Sequence, residues 1–236
     1  MVSWEALSKD LHLKNFEDWD EALLSLDAIA NPALADDFTD FHDDHDFIDP
    51  VPVTERWRGI GPRMLQAAGA EYRFYKLYRG LAVFLPVVVN GSRVGGIYAE
   101  VVKTRKNSYM ETPGGWKNKA WYLYDYTRKV IERRGLRFVV LVEGPRDTLR
   151  FCQNGIPALG ILGASAWTDR KGELLDNLPI DRVYTCFDGD DAGRNAAEKV
   201  KERATLPVTN IPLRQDEDPG NMKPERIAWL KRKLHL

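Results

Sequence analysis

Cysteine is scarce in this chain of 236 residues: only Cys152 and Cys186 occur. Two thiols rule out a disulfide scaffold and a structural zinc built from paired CxxC elements. Long apolar runs are absent too. None approaches the roughly 18 residues that a spanning helix needs, and the start MVSWEALSKDLHL lacks a basic flank followed by an apolar stretch. These absences predict a chain with no membrane span, working in a reducing cytoplasm. With 44% hydrophobic and 11% aromatic residues, it has enough apolar material for a real core, in one or two domains.

The net charge of -1 conceals a division along the chain. Residues 1–50 carry 14 Asp or Glu against Lys9 and Lys14, whereas the remainder carries 21 acids against 32 bases. Such asymmetry predicts a polyanion-handling body with an acidic appendage. The appendage begins with an amphipathic stretch containing Trp4, Leu7, Leu11, Phe16 and Trp19. It ends in DDFTDFHDDHDFID, residues 36–49, where seven Asp repel one another and predict a linker or partner-binding segment. His42 and His45 within that run read as part of the solvated linker rather than as metal ligands, since no apolar framework fixes them.

Residues 51–135 are expected to form a small basic α+β subdomain. A short helix opens near Pro62 and stops at Gly69. Two β-prone runs, 81–89 and 94–102, are joined through Asn90-Gly91, a hairpin signal. A segment that is basic and aromatic by turns follows. Arg79, Lys103, Arg105, Lys106, Lys117 and Lys119 are expected around the hairpin, and Tyr109, Trp116, Trp121 and Tyr122 are candidates for stacking on single-stranded bases, with core packing as the competing reading.

From residue 136 onward, strands (137–142, 156–161, 182–187, 207–211) alternate with helices, and PERIAWLKRKL closes the chain as a helix. The spacing predicts an α/β domain with a four-stranded parallel sheet flanked by helices, because parallel neighbours need crossovers rather than hairpins. Ligands of such sheets sit beyond the carboxyl ends of the strands. Acids stand there repeatedly: Glu143 after the first strand, Asp188 and Asp190 after the third, Asp216 and Asp218 after the fourth. Asp147 begins the first helix as a candidate extra ligand or supporting group. Carboxylates converging on one edge take up protons or hold a hard divalent cation such as Mg²⁺ or Mn²⁺, and two such ions suit phosphoryl transfer.

The successive segments VVLVEGPRDTL, NGIPALGILGASAWT, VYTCFDGDDAGRNAAEKV and IPLRQDEDPG resemble the motifs of a Toprim domain in its bacterial and phage primase form. Upstream, YRGLAVFLPVVVNGSRVGGIYAEVV and KNSYMETPGGWKNKAWYLYD are similar to the small domain that precedes Toprim in those primases. The resemblance spans most of residues 55–222. It implies metal binding by Glu143, Asp188 and Asp190, with Asp218 in the last motif. Gly220 stands where the family usually has a further acid, which Asp216 would have to replace. It further implies that Arg79, Lys106 and Lys117 or Lys119 hold nucleotide phosphates and template.

On this resemblance the expected activity is nucleotidyl transfer from nucleoside triphosphates, making short RNA primers on single-stranded DNA with no zinc. A metal-dependent nuclease and a catalytically idle replication accessory are the alternatives. The zinc ribbon and helicase portion common in such primases are not found in the sequence. The acidic residues 1–50 are expected to meet a replicative helicase or other replisome subunit, or to shield the basic groove.

Overall fold

The computed structural model describes residues 50–75, 80–103, 109–163, 167–215 and 217–236. The acidic segment 1–49, with His42 and His45, lies outside the described residues, as do Arg79, Arg105, Lys106 and Asp216.

Two sheets organise the described residues. The first is antiparallel, with five strands in sequence order: β1 (Val51–Pro52), β2 (Glu71–Tyr75), β3 (Gly80–Val89), β4 (Ser92–Glu100) and β5 (Tyr109–Glu111). The helix α1 (Pro62–Ala67) precedes β2, with Pro62 at its first position, where the missing N–H costs nothing. At the β3–β4 turn both central residues have positive φ, 51° at Asn90 and 81° at Gly91. That conformation matches the right-handed twist of the two strands. The Asp125 carboxylate accepts the N–H groups of Asn90 (2.8 Å) and Gly91 (2.7 Å), pinning the hairpin tip to the first turn of α2 (Tyr124–Arg134).

The second sheet is parallel, in the order β7-β6-β8-β9, built from β6 (Phe138–Val142), β7 (Ala158–Gly160), β8 (Arg182–Thr185) and β9 (Val208–Asn210). Its central strand reads FVVLV with no polar alternation, as a strand covered on both faces must. The helices α3 (Pro145–Gln153), α4 (Asp169–Asp176) and α5 (Asp191–Arg203) connect its strands, and α6 (Pro224–Lys233) closes the chain. The α/β class, the parallel sheet and the hairpin are those predicted. The helix α2 and the short strands β1, β2 and β5 were not predicted, since α2 sits in a stretch whose aromatics and lysines obscure its periodicity.

One apolar core runs through both sheets, from Val53 and Trp57 to Leu230 and Leu234. The segment before α2 joins them: Tyr122 and Gly160 exchange backbone hydrogen bonds (3.0 and 3.2 Å), and Thr127 Oγ1 donates to Ala158 O at 2.6 Å. This corrects the expectation for three aromatics. Trp116, Trp121 and Tyr122 are almost fully buried, and the indole N–H groups donate inward, to Thr112 O (3.0 Å) and Lys171 O (2.9 Å). Rings in the core cannot stack on bases. Burial of an amphipathic ring with its polar atom satisfied won over exposure. Among the described residues no helix is long and apolar enough to cross a membrane.

Lys171, on α4, is wholly buried. Its ammonium donates to Ile161 O at 2.5 Å and lies 5.4 Å from the Trp121 ring. Desolvation first, then the nearby Lys117 charge, push its pKa down to about 7. The folded chain therefore binds fewer protons here than the unfolded chain between about pH 7 and 10.5, and this group's contribution to stability rises with pH across that window. Thermal melts should show Lys171→Met gaining on the wild type as pH falls towards about 6. A difference independent of pH would show that the amine does not titrate in this range.

Candidate active site

At the carboxyl edge of the parallel sheet, one carboxylate oxygen from each of Asp147, Asp188 and Asp218 lies within 4.8 Å of the other two. Three elements deliver them. Asp147 stands in the first turn of α3, Asp188 lies beyond β8, and Asp218 begins the short 3-10 turn Pro219–Asn221 that leads into α6. Asp147 Oδ2 accepts the Gly144 N–H at 2.8 Å, which aims the side chain back across the strand end. Asp218 accepts from Gly220 N (2.6 Å) and Asn221 Nδ2 (3.0 Å).

Gly189 makes the convergence possible. A Cβ there would stand 1.7 Å from Arg214 O and 3.2 Å from Glu217 N, so only glycine lets the segment before Asp218 press against the Asp188 loop. The Gly189 N–H to Glu217 O bond, 2.8 Å, closes that contact.

The remaining predicted acids hold different posts. Glu143 Oε1 accepts the Asp188 N–H at 3.2 Å and lies against Gly193 of α5, where a Cβ would come within 2.9 Å of it. Asp190 caps α5, its Oδ1 accepting the Gly193 N–H at 2.8 Å. Both stand beside the group of three rather than within it. Gly220 faces Asp147: a Cβ at 220 would be 2.5 Å from Asp147 Oδ1, so the room for a further acid is already taken.

Electrostatically the cluster is under load. Burial first, then the Glu143, Asp218 and Asp190 charges, push the Asp188 carboxyl up to about 7. Burial and the Asp218 charge raise Asp147, and burial raises Glu143 against the opposing hydrogen bond from Asp188. Asp188 Oδ1 is buried with no hydrogen-bond partner among the described residues. A buried, unmatched carboxylate oxygen among like charges is what a hard divalent cation satisfies, so these residues fit one.

A cavity of about 550 Å³ opens over the acids, and its walls include Arg58, Lys103, Tyr109 and Arg146 alongside Glu143, Asp147, Asp188 and Asp218. Of the predicted basic residues, Lys103 lines it. Lys117 is instead paired with Glu111 at 2.5 Å, and neither Lys117 nor Lys119 lines the cavity. Tyr109 packs 5.6 Å from the Arg58 guanidinium.

Arg58 and Arg146 were not singled out from the sequence. Arg146 sits directly beside Asp147, a signal that was available. It donates to Arg58 O (3.2 Å) and Asn221 Oδ1 (2.8 Å), tying the first sheet's side of the cavity to the 3-10 turn. Arg58 is brought in by its positive φ of 46° and its bond to Glu100 O (2.8 Å), neither visible in sequence.

Residues 140–222 match a family model described as Toprim-like. That stretch of the chain is thus similar to a Toprim-like domain. The chain is 29% identical over 171 residues to a DNA primase of Buchnera aphidicola, covering 67% of this chain and 29% of that one. Among solved structures, the zinc-binding and RNA polymerase domains of the Aquifex aeolicus primase align with a TM-score of 0.61 at 24% identity. That alignment covers 75% of this chain and 53% of that one. A DnaG primase catalytic domain bound to single-stranded DNA aligns with a TM-score of 0.55 at 24% identity, covering 65% and 51%. The chain thus spans less than a third of the length of the curated relatives it matches. Of the acids that line the cleft, Glu143, Asp147, Asp188 and Asp218 fall inside the matched stretch, and Glu111 lies outside it.

Proposed function

We propose that this chain is the catalytic portion of a DNA primase, a nucleotidyltransferase joining nucleoside triphosphates into short RNA primers on a single-stranded DNA template. The observation that carries the reading is the meeting of Asp147, Asp188 and Asp218 within 4.8 Å in a cleft that Arg58, Lys103 and Arg146 also line. Kinship with proteins named DNA primase, and the relative bound to single-stranded DNA, support it.

On this reading Asp147, Asp188 and Asp218, with Glu143 and Asp190 adjoining, hold Mg²⁺ or Mn²⁺, two ions in the fullest form. When bound, the cations lower the pKa of the primer 3′-hydroxyl and neutralise the leaving pyrophosphate. The chain's own groups do the positioning. Arg58, Lys103 and Arg146 line the same cleft as the acids and would hold the triphosphate. Glu143, bonded to the Asp188 N–H, fixes the loop carrying that carboxylate. The assigned roles extend to Arg79, Arg105, Lys106 and Asp216, outside the described residues, and to Tyr109, Lys117 and Lys119 at the template side.

Residues 136–236 act as the catalytic Toprim unit with its C-terminal helix, and residues 51–135 as the basic subdomain that presents template. The acidic residues 1–50 meet a replicative helicase or another replisome subunit, in the cytoplasm. The test is incubation of the chain with single-stranded DNA, labelled nucleoside triphosphates and Mg²⁺ or Mn²⁺. Oligomers growing from nucleotides are expected. Cleavage of the DNA instead would assign the cleft to a nuclease.

A further inference from the structure

Among the described tryptophans, Trp229 of α6 is the one that stands out of the core: 36% of it is exposed, whereas Trp57, Trp116, Trp121 and Trp167 are all buried. Trp4 and Trp19 lie outside the described residues. Two cations frame the exposed ring. The Arg226 guanidinium lies 4.1 Å from its centroid and the Lys233 ammonium 5.2 Å. Residues 223, 226, 229 and 233 succeed one another at helical spacing on one face, so Lys223, Arg226, Trp229 and Lys233 form a stripe about 15 Å long. Residues 223–233 carry five Lys or Arg against the single acid Glu225.

The stripe begins at a cavity that adjoins the acidic cleft. This second cavity, of about 460 Å³, is walled by Arg214, Glu217, Lys223, Glu225 and Arg226, and it shares Asp218 with the cleft above the carboxylates. Its basic and acidic walls balance, so the attraction for an anion comes from the helix beyond it.

We propose that this face of α6 is a second contact surface for a single-stranded polynucleotide, which runs from the cleft past Asp218 and stacks a base on Trp229. The inference rests on the primase reading and extends it by naming a strand path. A lone aromatic between two cations, on a helix of strongly positive balance, matches a strand that offers a ring and a phosphate in each repeat. A protein partner would call for a contiguous apolar patch. The other large exposed apolar residues described (Val51, Leu81, Val102 and Met110) all belong to the first sheet or its connections, not to α6.

The test uses the full chain and labelled oligothymidine, with chelator and without nucleotides, so that binding is read apart from catalysis. Trp229→Ala should weaken binding about tenfold, and Trp229→Phe should recover most of it. Lys223→Gln with Lys233→Gln should flatten the dependence of log affinity on log salt by about 1.4. Lys223 and Lys233 are exposed, so their double variant should melt with the wild type; Trp229 is only 36% exposed, so its variants are compared with the wild type at a temperature where all are folded. Unchanged affinity in Trp229→Ala, with an unchanged salt slope, would overturn the proposal and leave the stripe to a protein partner. A wild type that binds through Trp229 yet makes no primers would sink the primase reading alone. Primer synthesis with an indifferent Trp229 would sink only this one.

Discussion

On the proposed reading, Asp188→Ala is expected to lower primer synthesis by about a hundredfold or more, and to remove the thermal stabilisation by Mg²⁺ expected of the wild type. Asp188 is the member of the cluster with a buried oxygen lacking any partner among the described residues, so it gains most from a cation and loses most without one. The sign of the pH dependence follows from its raised pKa. With the folded value near 7 and the unfolded value near 4, the folded chain holds the extra proton between them. Without metal, stability from this group is present below about pH 4 and is lost as pH rises towards 7.

Mg²⁺ takes the proton's place, so its stabilising effect should be small near pH 5 and large near pH 8, each value being approximate. At a hundred times its Kd the cation contributes about 2.7 kcal/mol, roughly 5–10 °C in Tm for a chain of this size. Asp188→Ala should also melt higher than the metal-free wild type at the alkaline end, having lost the repulsion. Melting curves with and without Mg²⁺ across that range decide the matter. An undiminished Mg²⁺ response in the variant would place the cation elsewhere.

Gly189→Ala is the second large effect. Its Cβ would meet the Arg214 carbonyl at 1.7 Å, and that atom is backbone, so no side-chain rotation relieves the clash. The segment leading to Glu217 must retreat, breaking the 2.8 Å bond from Gly189 N–H to Glu217 O and carrying Asp218 away from Asp147 and Asp188. A loss of about 3 kcal/mol or more is expected in denaturant unfolding, together with a weakened Mg²⁺ response in the molecules that remain folded. The pairing of the two losses is the diagnostic point. A variant as stable as the wild type, with full metal response, would show that the two loops do not approach as closely as they do here.

Much of the fold was legible in the residues. The unbroken apolar run at 138–142, the Asn90-Gly91 turn and the proline-opened, glycine-stopped helices are local signals, each decided within a few residues by backbone sterics and burial. The helix α2 was missed because its buried positions, Tyr124, Thr127, Val130 and Ile131, are diluted by charged neighbours. The acids were found by a rule about strand ends, which places them on one edge but does not say which of them touch.

From the residues alone came the alternation of strands and helices after residue 136, the parallel sheet and the acidic character of its carboxyl edge, because periodicity and turn chemistry are short-range. The tertiary structure alone decided that Asp147 joins Asp188 and Asp218, while Asp190 caps a helix and Glu143 bonds a backbone N–H. It also decided that three aromatics serve the core, and that Arg58 and Arg146 line the same cavity as the acids. The physical reason is that carboxylates meet at hydrogen-bonding range only where backbones from distant parts of the chain pass within contact of each other. At Gly189 that closeness depends on the absence of one carbon atom.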